Sequence, residues 1–235
     1  GHGRAAHALM AAPRGGSQVI PRPADVRPGP PAPWSGLPGE QRRPPLAHVV
    51  EAVRGLGPPR PIAGGAPPGA RPSAVLVPLY EADGETVVVL TRRAQHLRSH
   101  KGEVSFPGGR QEPGEHPTET ALREAEEETA LDPGAVEVVG ELDPLATFSS
   151  QSLIVPVVGR LAGRPELTAH EAEVEAILHV PLSELLHEDA YREELWRFPQ
   201  GYHPLYFFEI PGDTIWGATA RLLHQLLSIV TGTGR

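Results

Sequence analysis

Proline placement divides this chain before any motif is read. The sequence holds 28 prolines in 235 residues. More than half fall within residues 1–72, in runs such as RPADVRPGPPAPW and GGAPPGARP. Proline has no N–H to give a helix or a sheet ladder, and its ring fixes φ, so a segment this rich in it sustains neither for long. With little apolar surface to bury it is expected as a largely disordered extension. One stretch differs. In PPLAHVVEAVRGLG (44–57), Leu46, Val49, Val50 and Val53 recur at helical spacing and a glycine follows, which predicts a short helix over 45–55.

The remaining residues, 73–231, are expected to form one folded domain. SAVLVPLY and TVVVLTRR are β-branched runs separated by EADGE, where Asp83-Gly84 signals a hairpin turn. HPTETALREAEEETALDPG reads as a helix that tolerates Pro117 in its first turn and must end by Asp132-Pro133-Gly134. VEVVGELDPL, LIVPVVGRL, EVEAILHV and YHPLYFFEI read as strands. PLSELLHED reads as a short helix, and IWGATARLLHQLLSIV as an amphipathic closing helix. Strands mixed with helices predict a layered α/β (α+β) sandwich, a mixed β-sheet flanked by helices.

Composition narrows the function. Apolar residues make up 39%, enough for a core, and a net charge of −8 argues against an electrostatic nucleic-acid binder. The absence of cysteine excludes disulfides, thiolate metal sites and a cysteine nucleophile. No apolar run approaches a bilayer span and no signal-peptide pattern is present, so a cytoplasmic protein without membrane contact is expected.

The helix then poses a problem. Glu124, Glu126, Glu127 and Glu128 crowd one stretch of it, and like charges at helical spacing repel. Glu124, Glu127 and Glu128 stand at i, i+3 and i+4 and share a face. Converging carboxylates suit a hard cation such as Mg²⁺, which takes oxygen ligands and keeps positions open for phosphate and water. Read alone, they fit a solvated acidic face equally well.

The surroundings decide. Gly109, then five intervening residues and Glu115, then seven and Arg123-Glu124, then Glu127-Glu128 and Ala130-Leu131 closely resemble the Nudix box. That loop–helix–loop signature belongs to enzymes hydrolysing nucleoside diphosphates linked to another moiety. Two departures occur: Ala130 stands where the family usually has glycine, and Ala125 is smaller than the usual aliphatic residue. The resemblance implies the Nudix fold and Mg²⁺ (or Mn²⁺) held by Glu124, Glu127 and Glu128. It implies that Glu115 and Arg123 brace the loop against the helix, and that Gly108 and Gly109 bring backbone close to metal and phosphate.

Upstream, VLTRRAQHLRSHKGEVSFPGG (89–109) closely resembles the extended motif of the Nudix subfamily that hydrolyses coenzyme A. Leu90, Thr91, Arg93, Ala94, Arg98, Gly102, Phe106, Pro107, Gly108 and Gly109 fit its pattern. This is also the chain's one concentrated basic stretch, and arginine suits phosphate through its planar fork. Arg93 and Arg98 are the substrate-binding candidates, with Gly108 and Gly109. Glu173, in the Glu-Val pair this subfamily tends to carry, joins Glu127 as candidate base. ATFSSQS (146–152) departs from the pattern expected before VPVVG.

The implied reaction is metal-dependent hydrolysis of coenzyme A, or a derivative, to 3′,5′-ADP and 4′-phosphopantetheine. Its partners would be that small molecule and no nucleic acid or membrane, and a homodimer is compatible with it. Two rivals stand: a Nudix hydrolase for ADP-ribose, NADH or a nucleoside triphosphate, and a coenzyme A or nucleotide sensor that turns nothing over.

Overall fold

Alternation along the second strand sets the architecture. In the computed structural model, which describes residues 13–97, 101–147 and 151–234, β2 runs Arg71–Ala82. Its side chains alternate between two faces, as the pleat requires. Ala74, Leu76 and Tyr80 enter one core cluster, while Val77 and Leu79 enter a second.

β2 is flanked on both sides. The hairpin to β3 (Glu85–Arg93) turns at Asp83 and Gly84, both at positive φ (53° and 76°), as a tight hairpin turn of this hand demands. β8 (Ser152–Arg160) pairs parallel with β2 from Arg71↔Ser152 to Leu79↔Arg160. The sheet path is completed by β4 (Val104–Ser105) beside β3 and β6 (Glu137–Glu141) beside β8. Three more strands join it: β5 (Gly108–Arg110) on β2, β7 (Leu145–Ala146) on β8 and β9 (Val174–Pro181) on β3. One parallel pair among antiparallel ones makes the sheet mixed.

Helices cover it on both sides. α2 (Pro117–Thr129) packs Ala121 and Ala125 against Ala74, Leu76 and Val157. On the opposite face lie α1 (Leu46–Arg54), α3 (Leu182–Leu185) and α4 (Gly217–Val230). A second, antiparallel sheet packs there too, ordered β1 (Val26–Pro28), β10 (Tyr191–Phe198), β11 (Gly201–Ile210), β12 (Asp213–Trp216). The molecule is thus an α+β sandwich with a mixed sheet between helices.

The proline-rich segment departs from the disordered extension expected of it. Residues 13–72 lie along the domain. β1 pairs with β10, Val26 facing Trp196, and α1 occupies 46–54 of the helix expected at 45–55. Trp34 is fully buried among Tyr191, Phe208 and His224. Pro28 is tolerated because β1 is an edge strand, where a missing N–H need cost no ladder partner. No helix among the described residues is long and apolar enough to cross a membrane.

Candidate active site

The site begins at the glycine turn. β5 is a three-residue strand, and Ala74↔Gly109 and Val75↔Gly108 are its register partners on β2. Helix α2 crosses this pair so closely that a Cβ on Gly109 would overlap the Glu124 carboxylate, and one on Gly108 would strike the Ala74 carbonyl. Glycine is therefore required here for close approach between backbone and carboxylate.

Glu128, one turn beyond Glu124, is 5% exposed. Its carboxylate accepts the Gly108 N–H at 3.3 Å. Burial pushes its pKa up to about 8; the Gly108 N–H and the Arg93 charge oppose that rise, and Glu124 and Glu173 add to it. Glu124 is raised as well, first by burial, with Arg123 holding it down and Glu127 and Glu173 adding repulsion. A buried carboxylate and a partly buried neighbour that repel each other gain most from a cation between them.

Glu127 lies apart. Its side chain is 59% exposed and, among the described residues, accepts only from Arg123, at 3.3 Å. Among the described residues, no three His, Asp or Glu side chains converge as a metal-holding group. The donors that do fit a hard cation are the Glu124 and Glu128 oxygens beside the Gly108-Gly109 backbone.

Arg123 ties loop to helix. It donates to both Glu115 oxygens (2.7 and 3.2 Å), to Glu124 at 2.9 Å and to the Arg110 carbonyl at 3.0 Å. Glu115 also accepts the Glu112 N–H and the Thr120 hydroxyl. Its carboxyl is thereby held down to about 2, chiefly by Arg123. Because this pKa lies below the ordinary 4.5, the stabilisation is full above about pH 4.5 and fades as pH falls toward 2. Glu115→Gln should melt earlier than wild type at neutral pH. The gap should close across that acid window in thermal melts, and a gap independent of pH would refute the linkage.

Ala130 carries a cost at the helix end. It sits at φ 56°, ψ 26°, a left-handed conformation that disfavours a Cβ, with its N–H bonded to the Glu126 carbonyl. Ala130→Gly is expected to stabilise by about 0.5–1 kcal/mol. Chemical denaturation measures it, and a destabilised variant would contradict the strain.

The rest of the helix end is satisfied from a distance. The Thr168 and His170 N–H groups donate to the Thr129 and Glu128 carbonyls, both at 2.9 Å. Those carbonyls have no partner within the helix. This docking leads into Glu173, whose carbonyl accepts the Ala94 N–H and whose charge reaches Glu124 and Glu128.

The basic stretch divides. Arg93 lies at the end of β3, its charge acting on Glu128 and its Nε buried without a hydrogen-bond partner. Arg92, one residue earlier, makes a two-pronged contact with Asp213 at 2.7 and 2.8 Å. Asp213 is 2% exposed. Nothing local in the sequence marks it as the partner of Arg92. Arg98 lies outside the described residues, as do residues 148–150 of the ATFSSQS departure. Phe207 is fully buried, in keeping with a core role.

Comparison with known proteins identifies the family. The NUDIX domain family model matches residues 70–201. Nudix hydrolase 22, chloroplastic, of Arabidopsis thaliana is 43% identical over 170 residues, 67% of this chain and 55% of that protein. The chain thus spans little more than half the length of that relative. The Nudix hydrolase NudL of Photorhabdus laumondii is 42% identical over 158 residues, 66% of this chain and 83% of that one. A solved Nudix hydrolase from M. smegmatis, RenU, aligns with a TM-score of 0.48 and 18% identity, covering 70% of this chain and 87% of that chain. With a family match over more than half its length and relatives of this identity, the chain belongs to the Nudix hydrolase family.

Proposed function

We propose that this protein hydrolyses the diphosphate bond of coenzyme A, or a derivative of it, to 3′,5′-ADP and 4′-phosphopantetheine, using Mg²⁺ or Mn²⁺. The observation that carries the chemistry is buried Glu128 beside partly buried Glu124, both against the Gly108-Gly109 backbone, with the Arg93 charge acting on Glu128. The substrate assignment rests on the upstream motif, residues 89–109, which feeds directly into that turn.

A divalent ion, when bound, neutralises the diphosphate and activates water. Glu124 and Glu128 would hold it. Arg93, with a buried N–H still to be satisfied, would meet a phosphate oxygen. Arg123 and Glu115 keep the loop rigid, and Glu127 serves as a further ligand or as base. Between the two candidate bases, the geometry favours Glu173. Its charge is felt by both Glu124 and Glu128, whereas Glu127 is exposed and engaged with Arg123. A cysteine-free chain of this kind is assigned to the cytoplasm.

The test is direct. Incubate the protein with Mg²⁺ and coenzyme A, and in parallel with ADP-ribose and NADH, then identify products by mass spectrometry. 3′,5′-ADP and 4′-phosphopantetheine from coenzyme A support the reading. Cleavage of ADP-ribose or NADH alone removes the substrate assignment but keeps the site. Binding without turnover in all three leaves a sensor. Glu173→Gln should lower kcat more than it alters KM, and unchanged kcat would return the base to Glu127.

A further inference from the structure

The N-terminal segment reaches the basic strand end through one side chain. Gln18 uses its amide fully. Its Oε1 accepts the Thr214 N–H at 2.9 Å, and its Nε2 donates to Asp213 Oδ1 at 2.8 Å and to the Gly102 carbonyl at 3.1 Å. The neighbouring chain is anchored independently. Gly16 N–H donates to Thr214 Oγ1 at 3.0 Å, Gly15 N–H to the Ile210 carbonyl at 2.9 Å, and Gly212 N–H to the Pro13 carbonyl at 3.0 Å.

Two of the three contacts of Gln18, those to Gly102 and Asp213, lead to the strand end that carries Arg93. Gly102 N–H donates to the Arg93 carbonyl at 3.1 Å, and Arg93 N–H to the Glu103 carbonyl at 2.9 Å. Gly102 sits at φ +66° with no room for a Cβ beside Gln95. Asp213, the other partner of Gln18, grips Arg92, the residue before Arg93 on the same strand. Gln18 therefore joins the two supports of the strand end that carries Arg93. A recess of about 250 Å³ lies between the segment and the loop, with Ser17 and Val19 on one side and Gln95 and Lys101 on the other.

We propose that Gln18 is a positioning residue for substrate phosphate. The N-terminal segment braces the Arg93 strand end and so sets affinity for the anionic substrate. Gln18 lies outside the matched domain, residues 70–201, as does Asp213. The inference rests on the reading of Arg93 as a phosphate contact. Small displacements of such a group are costly, since about 1 Å can remove as much as 10²-fold in rate.

The experiment compares Gln18→Ala, Gln18→Glu and Arg93→Ala in the full chain, by steady-state kinetics on whichever of coenzyme A, ADP-ribose and NADH the wild type cleaves, with thermal melts alongside. Gln18→Glu keeps the acceptor for Thr214 but loses both donors. Both Gln18 variants are expected to raise KM by roughly tenfold with kcat within about twofold, while the melting temperature barely moves. If Arg93→Ala raises KM and neither Gln18 variant does, the inference is overturned and the phosphate reading stands. If Arg93→Ala leaves KM unchanged, the phosphate reading falls and takes the inference with it. A Gln18 variant that melts early and loses kcat at constant KM is merely destabilised, which also overturns the proposal.

Discussion

Replacing Glu128 by glutamine lowers kcat/KM for the hydrolysed diphosphate by at least about 10²-fold. Glutamine keeps the shape and can still accept the Gly108 N–H, so only the negative charge is lost. No neighbour can supply it. Glu127 is turned out to solvent, and both it and Glu124 are already bonded to Arg123. The same substitution should leave the melting temperature unchanged or raise it. Keeping a carboxylate charged at 5% exposure works against folding, and a neutral amide does not. Activity and stability moving in opposite directions would mark Glu128 as a residue kept for chemistry. Kinetics and melts on one preparation measure both, and activity within about threefold of wild type would remove Glu128 from the site.

The second large effect lies far from the carboxylates. Trp34→Ala is expected to cost about 3–5 kcal/mol, the range for removing a large aromatic side chain from a packed core. Its ring is fully buried, edge-on to Tyr191 at 5.2 Å and stacked on Phe208 at 6.2 Å. Those partners belong to β10 and β11, so the loss would be felt across the second sheet. Urea denaturation measures it directly. A change below about 1 kcal/mol would mean that the proline-rich segment rests on the domain without belonging to its folding unit.

Much of the fold was legible because its signals are local. Asp83-Gly84 announced the hairpin, and Pro117 and Asp132-Pro133-Gly134 bracketed the carboxylate helix. The closing helix and the runs around Val77, Val89 and Val157 matched core faces. The box residues needed only spacing to be found. The rest depends on pairings across the chain. β10, YREELWRF, carries charges that hide its strand character, and two of them, Arg192 and Glu194, pair with each other on its surface. Trp34 looked like a lone aromatic in a tail because its partners lie more than 150 positions later. The motif singled out Arg93 and left Arg92 without a role, and only Asp213, buried on β12, shows what Arg92 is anchored to. Glu127 shared a helical face with Glu124 and Glu128 by sequence, yet the glycine turn meets only the latter two.

The register of β1 bears on the order in which the chain can assemble. Val26 pairs with Trp196, and β2 pairs in parallel with β8 from Arg71↔Ser152 onward. Contacts so distant in sequence must close large loops before they return any stabilisation, and parallel pairs close slowest. On a chain made from its N-terminus, β1 emerges early and must wait for β10. Pro28 then acts as a gatekeeper, since a short strand that ends in proline is a poor template for pairing with another chain during the wait. The composition that made this segment look unable to fold is also what keeps it from aggregating until its partner strand arrives.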